Sequence, residues 1–323
     1  MLPVLVIMVA VLSAMTDGML TQTNLINVLS QSAVVAIAAI GATFVILTGG
    51  IDLSTGSVIG AAGLAGAEAM RAFHNVPLGL LAGLVTGTLV GTIIGIIVAK
   101  LPVVPFAVTL AALYVVSGVA TLTSHGNTIA PIPISVVKFS IVGPAGIPDA
   151  VWLTIILYVV AQTVLTCTAW GRRVFLVGAN VHAARISGIH VARSLTSAYA
   201  VAGLCSAAAG LVLTSGLAGA GASMGTPLLL NVVGAVVLGG TSLFGGRGSI
   251  LRTAIGVLLL GFLSNGMSLL GLQSYDQQIV TGIAIFLAAS ADGLLHWLKP
   301  RFQIARQKAT TSRLASQDRA TTV

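Results

Sequence analysis

Apolar residues run in long stretches along this chain, and the charged residues fall between them. No Asp, Glu, Lys or Arg occurs between Asp17 and Asp52, between Arg71 and Lys100, or between Asp149 and Arg172. The stretch from Arg193 to Arg247 is long enough for two crossings and a turn. A bilayer core about 30 Å thick takes roughly 20 apolar residues as a helix. Lipid offers backbone amides no partners, which selects helices over open strands. The segments show none of the period-two alternation of a membrane barrel. The pattern predicts spans at 2–16, 24–48, 55–71, 77–99, 103–123, 151–169, 194–215, 226–241, 253–271 and 277–297. The expected fold is all-α, a polytopic transmembrane bundle of about ten spans. The first span is short and has no basic flank. No small-residue cleavage site follows it, so it is read as a span and not as a signal peptide.

Composition narrows the picture. The 323 residues are 56% hydrophobic and 7% charged, whereas soluble domains are near a quarter charged. One transmembrane domain, 1–298, is expected, with a polar tail at 299–323. Arg172, Arg173, Arg185 and Arg193 share one loop, Arg247 and Arg252 another, and Lys299, Arg301, Arg306, Lys308, Arg313 and Arg319 the tail; Lys100 stands at a further turn. Ten alternating spans put all of these on one side, which the positive-inside rule makes cytoplasmic, along with both termini. The net charge of +8 is therefore read as topology and not as a nucleic-acid surface.

Several chemistries lack their residues. No GxxxxGK[ST] phosphate loop is present, so ATP is not bound by this chain in that way. His74, His125, His182, His190 and His296 form no ligand pair, and Cys167 and Cys205 are isolated. Neither a metal nor a cofactor is expected, and no catalytic residue is assigned. The run Gly219 to Gly225 is glycine-rich but follows no strand, and reads as an outer turn. Ion-coupled transport needs a carboxylate within the membrane. Asp52, Glu68 and Asp276 all lie near span ends. The span 24–48 alone is about 37 Å long, which places Asp52 at the inner interface, or deeper if Gly49-Gly50 ends the helix early.

Three segments carry a sharper signal. In "ILTGGIDLSTGS" (46–57) Gly49 and Gly50 end one helix, and Asp52, Ser54 and Thr55 are suited to cap the next. In "AVVLGGTSLFGGRGS" (235–249) Gly239, Gly240, Gly245 and Gly246 break the chain again. The shared Gly-Gly-x-x-Leu wording suggests a weak internal parallel repeat. The third segment lies in the inner loop 170–193. There Asn180 suits an N-cap and Gly188 a C′ position, enclosing a helix of about two turns. So short a helix needs a partner surface, and Ala183 and Ala184 permit close approach. That surface is either the chain's own spans or another protein.

These segments resemble the membrane permease subunits of bacterial ABC importers for simple sugars, the ribose/xylose/arabinose/galactoside group. The likeness runs from about Leu25 to Asp292, and "SNGMSLLG" (264–271) with Tyr275 and Gln278 fits it too. The inner loop is similar to the family's coupling element, with Ala183, Ala184 and Gly188 matching and His182 where glutamate is common. The resemblance implies a pore of two permease copies or a copy and a paralogue. It also implies ATP-binding cassette subunits docked on Asn180, His182, Ala183, Ala184, Arg185 and Gly188, and an extracytoplasmic sugar-binding protein. Gln31, Asn231, Ser264 and Asn265 are polar residues inside spans and stand as pore-lining candidates. The alternatives are an ion-coupled secondary transporter of a small neutral solute and a branched-chain amino-acid ABC permease.

Overall fold

The computed structural model describes residues 1–287 and residue 290. Among these the regular structure is helical, apart from one isolated antiparallel bridge between Ile129 and Ala220. The helices are α1 (Leu2–Met15), α2 (Gln22–Leu47), α3 (Thr55–Phe73), α4 (Val76–Lys100), α5 (Pro105–Thr123), the short α6 (Ile134–Phe139), α7 (Asp149–Cys167), α8 (Ala169–Ala179), α9 (Val181–Ile186), α10 (Val191–Leu217), α11 (Leu229–Leu238), α12 (Ile250–Leu269) and α13 (274–287). Six of them, α2, α4, α5, α7, α10 and α12, are long and apolar enough to cross a membrane. The chain is a multi-pass membrane protein. The rest of the tenth predicted span and the tail 299–323 lie outside the described residues.

Three predicted spans depart from a simple crossing. Helix α1 has only 14 residues. Helix α3 carries Glu68 and Arg71 in its second half. Helix α11 has 10 residues, preceded by a single 3₁₀ turn at Thr226–Leu228. The reason for the short α11 is a correction to the sequence reading. Residues 219–225 are not a simple outer turn but lie along α3. Gly60 of α3 faces the Ala222 carbonyl, and Gly56 lies against Gly225 and Thr226. The chain thus starts α11 well inside the bundle. The inner loop also differs, because α8 precedes α9. Thr168 is extended (φ −102°, ψ 157°), which stops α7, and its hydroxyl accepts the Gly171 amide at 3.1 Å to start α8.

The core is built around α2, which is buried from Ser32 to Leu47 except at Val35. It packs against α10, α12, α11 and α7. Helix α4 meets α3 and α10 through Gly79, Gly83, Gly87, Gly91 and Gly95, one every fourth residue. A Cβ on Gly87 would stand 2.6 Å from both the Ala207 Cβ and the Gly203 carbonyl. Such a small-residue stripe lets backbones approach closely where no hydrophobic effect drives helices together. Helix α5 is the loosest, burying only Thr109 and Ala120.

Polar side chains tie helices across the bundle. The carboxamides of Asn24 (α2) and Asn265 (α12) exchange hydrogen bonds at 2.8 and 2.9 Å, and Asn24 also donates to the Met19 carbonyl at 3.0 Å. Asn265→Leu removes that exchange from a buried Asn24. The expected cost is about 0.6–1.7 kcal/mol, read as a lower thermal midpoint in detergent. The double variant with Asn24→Leu should cost less than the two singles added together.

Candidate functional site

Helix α2 ends in a Schellman motif. Gly49 has φ +81°, its amide donates to the Ile46 carbonyl (2.9 Å), and the Gly50 amide donates to the Val45 carbonyl (3.1 Å). Helix α11 ends identically. Gly240 has φ +77° and donates to Val237 (2.8 Å), and Thr241 donates to Val236 (3.3 Å). The two breaks therefore share a geometry, but the repeated Gly-Gly letters are offset by one residue. In the first, the leading glycine takes the left-handed position and Gly50 provides the close approach, to the Tyr199 hydroxyl at 2.6 Å from its would-be Cβ. In the second, Gly239 provides the close approach, 2.7 Å from the Arg252 carbonyl, and the trailing glycine is left-handed.

Between α2 and α3 the chain is held by Asp52. Its Oδ1 accepts both the amide and the hydroxyl of Ser54. Ser54 is the N-cap of α3 but makes no side-chain cap bond, and Asp52 accepts the amide of Ser54 and not one within the helix, so the side-chain capping expected of Asp52, Ser54 and Thr55 is not made. Thr109 of α5 pins the same segment by donating to the Ile51 carbonyl at 3.0 Å. Helix α2 ends at Leu47, just before Gly49-Gly50, and Asp52 is 7% exposed. In this joining segment, burial pushes its carboxyl above the ordinary range, against the pull of the Ser54 hydrogen bonds. A raised carboxyl pKa means that the folded state binds the proton more tightly than the unfolded chain. Its favourable effect is thus full at low pH and lost as pH rises through the raised value. Asp52→Asn keeps an acceptor for Ser54 and removes the buried charge. Its stability should be less sensitive to pH above about 4 than that of the wild type, as measured by thermal unfolding across pH.

The two breaks meet the inner loop at one end of the bundle. The Gly246 amide donates to the Leu47 carbonyl (2.9 Å), the last residue of α2. Gly178, near the end of α8, sits against that same carbonyl and the Gly246 amide, while Gly245 lies against Gly49 and the Gly178 carbonyl. The loop 241–247 is closed by Ser242 to Arg247 (2.9 Å) and Gly245 to Ser242 (3.0 Å) amide bonds. Residues 47–50, 178–179 and 245–246 thus form one backbone-to-backbone junction in which Gly178, Gly245 and Gly246 have no room for a Cβ.

Helix α9 stands on this junction. Asn180 is its N-cap, accepting the Ala183 amide at 2.9 Å. Gly188 (φ +79°) is its C′ residue, with Gly188 donating to Arg185 (3.1 Å) and Ile189 to Ala184 (3.0 Å). Helix α9 is thus closed by the same device as α2 and α11. The two alanines divide. Ala184 is buried against Val177, Val191, Ile189 and Leu195 of its own chain, while Ala183 is exposed with His182 and Arg185. Of the two surfaces the sequence left open for these alanines, Ala184 takes its own chain. Sequence reasoning missed two side chains here, Ile186 at 88% exposure and Phe244 at 92%. Ile186 stands between Arg185 and Ser187, and Phe244 follows Leu243 just before Gly245-Gly246, which was the available signal.

Several basic residues gather at the same end, away from Arg71 and Lys138. Arg173, His190 and Arg193 line a 630 Å³ cleft with Trp170, and Lys100, Arg185 and Arg193 line a second of 670 Å³. Along α2, α11 and α12, Gln31, Asn231 and Ser264 line a cavity of 160 Å³, with Gln31 and Ser264 exposed and Asn231 half-buried. Asn265 does not join them, because its carboxamide is committed to Asn24.

Comparison with known proteins places this architecture. The family model described as the permease component of branched-chain amino acid transport systems matches residues 24–289. The ribose import permease protein RbsC of Escherichia coli K12 is 38% identical over 295 residues, covering 89% of this chain and 91% of the relative. RbsC of Bacillus subtilis is 41% identical over 291 residues, covering 89% and 90%. The L-arabinose permease protein AraH of E. coli K12 is 35% identical over 254 residues, covering 79% and 77%. No solved structure matches. With the family model spanning most of its length and sugar-import permeases aligned nearly end to end, this chain belongs to the permease family of ABC importers, in its simple-sugar branch.

Proposed function

We propose that this chain is the transmembrane permease of an ATP-driven importer that carries a monosaccharide or similar small polyol across a bacterial inner membrane. Two copies, or this chain and a paralogue, form the pore, and an extracytoplasmic binding protein delivers the sugar. The chain crosses about ten times with both termini cytoplasmic, through a permease domain at 1–298 that leads into the tail 299–323. The six long apolar helices and the gathering of arginines and Lys100 at one end support that topology.

Helix α9 carries the proposal. It is a two-turn helix, capped at both ends and set on a rigid backbone junction, and it presents His182, Ala183, Arg185 and Ile186 outward. A helix too short to persist alone is here pre-formed for a second protein, and an ATP-binding subunit is the partner the relatives' type of system supplies. Docking there transmits ATP-driven motion along α8 to the end of α2 and to the loop that follows α11, because the three meet in one junction. ATP hydrolysis belongs to the partner. The neutral lining of the 160 Å³ cavity favours an uncharged sugar over an amino-acid zwitterion, whose charges would be left unpaired there.

The test is copurification. The chain should carry an ATPase subunit through detergent extraction, and binding protein loaded with a sugar such as ribose or arabinose should raise ATP hydrolysis by the complex. A chain that binds no such subunit, or a complex indifferent to every loaded binding protein, contradicts the proposal.

A further inference from the structure

The cavity between α2, α11, α12 and α13 is lined by five polar side chains, Gln31, Ser32, Asn231, Ser264 and Thr281. None is charged. Gln31 and Asn231 were legible as polar residues within apolar segments, whereas Ser32 and Thr281 join them only through the packing. Ser32 sets this place apart. It is 7% exposed, and its Oγ has no hydrogen-bond partner among the described residues. A serine within a helix ordinarily satisfies its hydroxyl on the carbonyl four residues back, as Ser30 does on Ile26 at 2.7 Å. Ser32 does not. The hydroxyl has its room because residue 261 of the facing helix is glycine; a Cβ there would collide with Ser32 Oγ.

Depth matters too. Ser32 lies ten residues into α2, about 15 Å along its axis, so the cavity is within the membrane portion and away from both loop-bearing ends. A buried unsatisfied polar group is costly, and a cluster of hydroxyls and carboxamides offers both donors and acceptors. The volume is on the order of five water molecules, room for one small solute and not for a chain.

We infer that Gln31, Ser32, Asn231, Ser264 and Thr281 form a solute subsite inside the membrane bundle, where the hydroxyl groups of a small neutral polyol exchange hydrogen bonds in transit. This rests on the importer function proposed above and adds a specific place on the route. The subsite matches hydroxyl groups and has no counter-charge for a carboxylate or ammonium.

The experiment uses the whole complex in proteoliposomes, with sugar-loaded binding protein outside and ATP available to the ATPase. Sugar accumulated and ATP hydrolysed are measured together. Gln31→Leu/Ser32→Val should lower the sugar moved per ATP at least about tenfold, the equivalent of one or two lost hydrogen bonds. Gly261→Ala, which fills the space before Ser32 and suits a helix, should lower the same ratio. Asn231→Gln should restore more of it than Asn231→Leu. Thr163→Val, whose hydroxyl on α7 is exposed and bonded back to Val159, is the control and should keep the wild-type ratio. A wild-type ratio in both the double variant and Gly261→Ala overturns the subsite. So does an equal loss in uptake and hydrolysis in both, which marks the positions as structural. Failure of the wild-type complex itself to accumulate sugar overturns the importer proposal and the subsite with it, and shows in a different arm.

Discussion

Gly178→Ala should damage this protein more than any other single methyl group added to its inner loop. The new Cβ falls on the Leu47 carbonyl and 2.7 Å from the Gly246 amide, the two groups that hydrogen-bond each other across the junction. Every near neighbour is backbone, so none can swing aside as a side-chain tip would. Overpacking of this kind costs about 1–3 kcal/mol, and wedging the Gly246–Leu47 bond adds about 1 kcal/mol. For a chain of this size that is a drop of roughly 3–6 °C in thermal midpoint. The same change at Gly216, whose nearest would-be neighbour is Ser140 at 3.9 Å, should be neutral or mildly stabilising, since alanine favours helix by up to about 1 kcal/mol. The functional consequence should exceed the loss of stability. Helix α8 sits through Gly178 on the end of α2 and on the loop 241–247 that follows α11, so a wedge there should lower ATPase activity stimulated by the loaded binding protein even at temperatures where the fold is intact. A Gly178→Ala chain with the wild-type midpoint and wild-type stimulation would mean that the junction is not close-packed in the working protein.

Ile186→Asp should act in the opposite way, leaving the fold alone and breaking assembly. Ile186 is 88% exposed at the end of α9 and contributes nothing measurable to the chain's own core. At a protein interface, a central apolar anchor contributes about 2 kcal/mol or more, so its replacement by a carboxylate should weaken ATPase association roughly thirtyfold or more. The chain should still insert, purify and melt as the wild type does. Ala184→Leu separates the two effects, because that methyl faces Val177 and Val191 and a larger side chain there lifts α9 off its own support. Unaltered association in Ile186→Asp would move the docking surface elsewhere.

The comparison of these two residues shows what the sequence made legible. The charge gaps marked the helices because lipid excludes charge and demands length, both visible in one dimension. Asn180 and Gly188 marked α9 because caps act on the next few residues. What was hidden depended on the third dimension. The two Gly-Gly pairs read as one repeat, but which glycine takes positive φ is decided by what lies beside the other, Tyr199 in one case and Arg252 in the other. Helix α8 was hidden because its buried Gly171, Val174 and Val177 recur every three residues directly after an apolar span, with only Thr168 to announce the break. The return of 219–225 into the bundle was hidden because glycines and alanines that permit a turn also permit close packing on Gly56 and Gly60. Asn265 was grouped with the pore because polarity in a span has two uses, and only its distance to Asn24 distinguishes a helix tie from a route.

The central claim is that this chain moves sugar only as part of an ATP-driven complex. The most direct measurement is accumulation of radiolabelled sugar into proteoliposomes, with the chain alone and with its ATPase and binding protein, in the presence and absence of an imposed ion gradient. Accumulation that requires both partner proteins and ATP, and that ignores the gradient, is the result predicted. Gradient-driven accumulation by the chain alone would contradict it.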